Sequence, residues 1–119
     1  YSLTLAWSAW DETLRLICTF EMEPPQDRMP ALYEMLNRVN DACWGGTFTW
    51  WQEQRLMVFR YGLVLSGGQV VTPEQIDQMI TSAVSTAERY YPAFQLATWG
   101  GRSAEEAMQV AIAEAYGHA

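Results

Sequence analysis

From Ser2 to Glu21 the chain alternates between apolar and polar side chains with a break near Asp11-Glu12. A two-residue turn there, with Trp10 facing Thr13, puts Leu3, Leu5, Trp7 and Ala9 on one face with Leu14, Leu16, Cys18 and Phe20. Ser2, Thr4, Ser8, Arg15, Thr19 and Glu21 take the other face. One register sorts both strands, as a half-buried antiparallel pair requires. Asp-Glu is not a favoured two-residue turn, so a longer loop is the alternative. Pro24-Pro25 ends the second strand.

The same period returns from Thr47 to Tyr61, with a turn at Glu53-Gln54 and Gln52 opposite Arg55. Phe48, Trp50, Met57, Phe59 and Tyr61 form its core face. Thr47, Thr49, Trp51, Leu56, Val58 and Arg60 form the other, which is more apolar than a solvated face should be. Either another protomer, a partner or further chain covers it, or Trp51 is a singly exposed tryptophan of the ordinary kind.

Between the hairpins the period changes. Met29, Leu32, Leu36, Val39 and Cys43 recur at three- and four-residue steps, which predicts an amphipathic helix with Asp27 as N-cap and Pro30 in its first turn. After Ser66-Gly67-Gly68, Thr72-Pro73-Glu74-Gln75 is a capping box with proline at the first helical position. Ile76, Ile80, Ala83, Ala87 and Tyr90 mark one face of the helix it starts. Pro92 removes a backbone donor, yet Ala93 to Ala97 are acceptable in a helix. We therefore expect a kinked helix that resumes after Pro92 and is capped by Gly100-Gly101, with Tyr90, Phe94 and Trp99 as packing groups; a break and extended linker is the competing reading. Ser103 and Glu106 repeat the capping box and open a last helix through Met108, Ala111, Ile112 and Ala115.

The result is an α+β fold, an antiparallel sheet of two hairpins with helices on one face, in the order ββαββαα. With 119 residues, one domain over residues 1–119 is expected. The chain enters a strand at Tyr1, and a preceding piece is expected.

Composition narrows the chemistry. Half of the residues are hydrophobic and 18% are charged, the make-up of a folded domain. The net charge is −7 and all seven basic residues are arginine. Such a surface repels polyphosphates and anionic lipid, so neither nucleic acid nor a membrane is an expected partner. Without lysine there is no Schiff base and no P-loop. No apolar run approaches the roughly 18 residues of a membrane span. Cys18 and Cys43 form no CxxC pair, and a reduced, cytoplasmic protein is the simplest reading, although a disulfide between them stays open.

No residue is assigned a catalytic role. His118, the single histidine, stands beside the C-terminus, and no metal motif or cofactor loop includes it. It reads as a tail residue; a pair with Cys43 is the alternative. Asp11, Glu12, Asp27, Glu53, Glu74, Glu105 and Glu106 are explained as turn formers or as charges at helix N-termini. Trp44 and Trp99 stand at helix ends and read as core-edge or helix-helix packing.

The segments CWGGTFTWWQEQRLMVFRYGLVLSGG and AERYYPAFQLATWGGRSAEEAM resemble the YbjN-like family of bacterial proteins, in its alphaproteobacterial form. The resemblance covers nearly the whole chain, and ERYYPAFQ and WGGRSAEEA are its most specific parts. It implies a fold similar to type III secretion chaperones, often dimeric, and association with regulation of sensory transduction or stress responses. It also implies an N-terminal helix and strand that this sequence lacks. No catalytic residues carry over.

Two functions follow as expectations. The first is a non-enzymatic, homodimeric interaction module, chaperone-like or adaptor, with Trp51, Leu56, Val58 and Arg60 as contacts for a protein partner. Arg60 has a blander reading, a stem that snorkels to water or pairs with an acid. The second function is a small-ligand sensor, or an unrecognised enzyme, with a pocket between the sheet and the kinked helix lined by Tyr61, Tyr91, Phe94 and Trp99.

Overall fold

The structure is a computed structural model and describes residues 2–117. Its elements are β1 (Ser2–Ser8), β2 (Thr13–Glu21), a 3-10 turn (Gln26–Arg28), α1 (Met29–Ala42), β3 (Thr47–Trp51), β4 (Leu56–Val64), α2 (Pro73–Thr98) and α3 (Ala104–Gly117). The class is α+β in the expected order, with one four-stranded antiparallel sheet ordered β1-β2-β4-β3. The chain divides into two compact units. One holds Tyr1–Met22 and Gly45–Ser85, the other Glu23–Trp44 and Thr86–Ala119.

The first unit contains the sheet and the first turns of α2. Each hairpin stays intact, and β2 joins β4 between them, pairing Leu16 with Tyr61, Cys18 with Phe59 and Phe20 with Met57. The β3–β4 register is the expected one, Phe48 with Phe59 and Trp50 with Met57. Leu16, Cys18, Phe48, Met57 and Phe59 are buried on this side. The Phe48 and Phe59 rings lie 4.9 Å apart and tilted by 57°, an arrangement worth about 1 kcal/mol beyond its area. Behind them, Gly46 is required by close approach: a Cβ there would lie 2.5 Å from Phe59 Cζ and 2.7 Å from the Arg60 carbonyl oxygen.

The first hairpin departs from expectation in two ways. Its register is displaced by two residues, pairing Leu3 with Cys18, Leu5 with Leu16 and Trp7 with Leu14. Residues 9–12 form a four-residue loop, with Glu12 at φ +50°. The slip keeps every side chain on its expected face, because the side-chain period is two. The second departure concerns burial. β2 is buried on its apolar side, but Leu3, Leu5 and Trp7 on β1 are 42%, 42% and 54% exposed. β1 is an edge strand, and α2 meets the sheet beside Tyr61 and Leu63 on β4, two strands away.

Thr72 caps α2 as expected. Its Oγ accepts from the Gln75 N–H, and Gln75 Oε1 accepts from the Thr72 N–H. α2 then runs unbroken through Pro92 to Thr98. Met79 is buried, whereas Ile76 and Ile80 on the expected face are half-buried.

The second unit contains α1, the remainder of α2, and α3. Met29, Leu32, Met35 and Val39 are the buried side of α1. Asp27 is not its N-cap: it sits in the preceding 3-10 turn, and Arg28 occupies the cap without a side-chain hydrogen bond. The Arg28 guanidinium instead donates to the carbonyls of Ala97 and Arg102, a cation satisfying the C-terminal end of α2. There the Arg102 N–H donates to the Leu96 carbonyl, with Gly101 at φ +66° making the left-handed turn. Tyr90 and Phe94 are packing groups, but Trp99 is 59% exposed and Trp44 is 99% exposed, so neither tryptophan is packed as expected. In α3 the Ser103 box is modified, since Glu106 Oε1 accepts from the Ser103 hydroxyl, whose oxygen accepts from the Glu106 N–H. Among its described side chains Ala104, Ala107 and Ala111 are buried and Ile112 is 47% exposed, and the side chain of Ala115 lies outside those described.

Candidate functional site

The four proposed contact residues come from one hairpin and share one side of the sheet. Alternation along β3 and β4 sends Phe48, Trp50, Met57, Phe59 and Tyr61 to the α2 side. It sends Trp51, Leu56, Val58 and Arg60 to the opposite side, where the first unit has no helix among the described residues. Trp51 is directly opposite Leu56, Val58 opposite Thr49 and Arg60 opposite Thr47. The β2–β4 ladder extends this surface: Thr19 stands across from Val58, Ile17 from Arg60 and Arg15 from Gly62. Sequence reasoning missed Ile17 and Gly62, because only the pairing of two separate hairpins brings them here.

Burial within this surface is graded. Val58 has no accessible surface and forms the floor. Trp51, Leu56, Ile17, Thr19 and Thr49 are half-buried, and Arg60, Gly62 and Thr47 are exposed. Val58, Trp51, Leu56 and Ile17 give the centre its apolar area beside Thr19 and Thr49, and Arg60 and Thr47 are exposed polar positions beside it, as at the core and rim of a protein contact surface. Trp50, on the other side, is held by its indole N–H donating to Gln52 Oε1 at 2.8 Å and by the Arg55 guanidinium 5.8 Å from its ring.

The hairpin loop at the end of this surface holds a carboxylate. Asp11 is kept below the usual carboxylate range by a hydrogen bond from Ser8, helped by Arg15, whose guanidinium lies 3.0 Å from Asp11 Oδ2. Glu12 and Glu53 lie in hairpin loops, and Glu74, Glu105 and Glu106 lie in first helical turns, so the expected structural roles describe where they fall.

The residues of the expected ligand pocket fall in different settings. Tyr61 is half-buried in the first unit. In the second, Phe94 is fully buried, Tyr91 half-buried and Trp99 exposed. Tyr61 does line a cavity of about 150 Å³, but its companions there are Leu63, Gln75, Gln78, Met79 and Ser82. Gln75 is already engaged by Thr72, and Gln78 Nε2 donates to Ser82 Oγ at 3.4 Å.

Cys18 and Cys43 are both free thiols. Burial raises each above the ordinary thiol value, with Arg89 opposing the shift at Cys43, so little thiolate forms at neutral pH. Burial likewise raises Tyr90, the residue after Arg89 on α2. His118 lies outside the described residues. Among those described, no group of three or more histidine, cysteine or acidic side chains is placed to hold a metal, and no helix is long and apolar enough to cross a membrane.

Residues 1–96 match the profile of YbjN, a family described as "putative bacterial sensory transduction regulator". The chain belongs to the YbjN family. The matched span takes in both hairpins, α1 and α2 as far as Leu96, and leaves the WGGRSAEEA segment outside. No curated protein and no solved structure matches the chain.

Proposed function

We propose that this YbjN chain is a non-enzymatic protein-interaction module, an adaptor or chaperone-like regulator in bacterial stress or sensory signalling. It acts in the cytoplasm as a homodimer and presents the Trp51 side of its sheet to a protein partner. The observation that carries this reading is the graded surface of Trp51, Leu56, Val58 and Arg60 on the side away from α2. The family description supports the regulatory part. Aromatic and arginine side chains dominate binding energy at protein contacts, and Trp51 and Arg60 supply one of each.

The test leaves Val58 alone, because a polar group at a fully buried position would damage the fold. Trp51→Ser with Leu56→Ser keeps the floor and removes the half-exposed apolar groups. Cross-linking and mass spectrometry from native cells should recover a partner with the wild-type protein and lose it with the double variant. Sedimentation of the same two proteins reads the dimer. If the folded double variant recovers the same partner and sediments as the wild type does, this side of the sheet is not the interaction surface.

The second reading, a small-ligand sensor, is favoured by the cavity at Tyr61. About 150 Å³ is below the roughly 300 Å³ at which small-molecule sites begin. Only a fragment-sized, uncharged ligand would suit it.

A further inference from the structure

Of the seven arginines, six are engaged. Arg15, Arg38 and Arg102 pair with acids four residues away. Arg28 donates to helix-end carbonyls, Arg55 lies over Trp50, and Arg89 acts electrostatically on Cys43 and Tyr90. Arg60 is the exception: among the described residues its side chain has no acceptor and no ring partner. It is not at a fraying end but in the middle of β4, opposite Thr47 and Ile17, beside the buried Val58.

The next position of the β4 row on that side is Gly62, exposed and opposite Arg15. A Cβ at Gly62 would meet one atom, Thr13 Cγ2 at 3.3 Å. The row Leu56, Val58, Arg60, Gly62, Val64 therefore has a notch beside the unpaired guanidinium. A second arginine stands across the notch, already bound on one nitrogen to Asp11. Asp11 neutralises Arg15, so the uncompensated cation is Arg60; the other acid of this side, Glu21, is opposite Leu56, four residues along the strand from Arg60, or about 13 Å. So a chain of net charge −7 has a local positive spot with an open floor, shouldered by Ile17 and by Val64, which is 59% exposed.

We infer that the Gly62 notch receives a carboxylate side chain from a partner protein, an aspartate or glutamate set between apolar residues, with Arg60 as the group that binds it. The inference rests on the interaction reading above and specifies its partner. A guanidinium suits a carboxylate because two parallel N–H donors match its two oxygens. The apolar shoulders select the neighbours of that acid. A polyanion is disfavoured by the acidic remainder of the chain.

The test is selection of twelve-residue peptides displayed on phage against the immobilised wild-type protein and against Arg60→Glu. The best wild-type peptide is then synthesised and titrated against both, and against Arg60→Gln. Arg60 is exposed, so both variants should unfold near the wild-type temperature, which the same samples establish. The wild type should enrich peptides with an acid between apolar residues. Arg60→Glu should lose about fivefold or more in affinity, Arg60→Gln less, and a peptide with lysine in place of the acid should regain binding to Arg60→Glu. A selected peptide that binds wild type and Arg60→Glu equally overturns the inference while sparing the interaction surface. Failure of the wild type to enrich any peptide overturns the interaction reading itself. Wild-type self-association that Arg60→Glu abolishes makes the occupant a second copy of this chain and overturns the separate partner.

Discussion

The two hairpins of the sheet turn by the same device, yet only one could be placed from its sequence. Each has a four-residue loop, residues 9–12 and 52–55, and each loop ends on a non-glycine residue in the left-handed region, Glu12 at φ +50° and Arg55 at φ +54°. In the second loop all four residues, Gln-Glu-Gln-Arg, are polar, so the pattern itself marks where the strands stop. In the first, Ala9 continues the apolar alternation of β1 into the loop and Trp10 is apolar too, so no polar residue marks the end of the strand before Asp11. The eye extends the strand, and the register moves by two. A slip of two costs the hydrophobic pattern nothing, since each side chain returns to its own face. Periodicity therefore fixes faces, and loop chemistry fixes register.

The hairpins also differ in what covers them, and that difference gives the largest predicted effect. Phe59→Ala removes a ring from a buried pair and should cost about 3–5 kcal/mol in urea unfolding. Leu5→Ala, on the exposed side of β1, should cost about 1 kcal/mol or less. Equal costs would mean that β1 is covered in the protein as it functions, and the contrast between the hairpins would fall.

A smaller effect compares the loops. Glu12→Gly removes left-handed strain and should stabilise by about 0.5–1 kcal/mol. Arg55→Gly relieves the same strain but loses the guanidinium over Trp50, so its net change should lie near zero. Thermal melts decide between them, and a destabilising Glu12→Gly would contradict a strained first loop.

The smallest effect is one of pH. The bond from Ser8, with help from Arg15, lowers the folded pKa of Asp11 below its unfolded value near 4. Its stabilising contribution is complete above that unfolded value and is lost as pH falls through the lower, folded one. Asp11→Asn should flatten that part of the acid stability curve. An unchanged curve below pH 4 would remove Asp11 from the account of the loop.

Much of the fold was legible because it rests on local rules. The Thr72-Gln75 box, the passage of α2 through Pro92 and the β3–β4 register all follow from residues close in sequence. The candidate surface was half legible for the same reason. Trp51, Leu56, Val58 and Arg60 belong to a single hairpin, so its alternation grouped them. Ile17, Gly62 and Arg15 join them through a ladder between strands some 40 residues apart, which no local pattern encodes. Asp27 misled as a cap because a 3-10 turn placed Arg28 at the helix start and used its guanidinium on a distant helix end.

The sequence by itself determined which elements form and which face of each strand is apolar, because helix caps and side-chain periods act over a few residues. Tertiary structure decided which apolar residues are covered. Val58 is sealed on a side whose cover the pattern left undecided, Leu3, Leu5 and Trp7 are open on the side predicted to be sealed, and among the described residues Arg60 is the arginine left unpaired. Burial depends on which strand lies at an edge and where a helix lands, and those are properties of contacts between distant segments rather than of any segment alone.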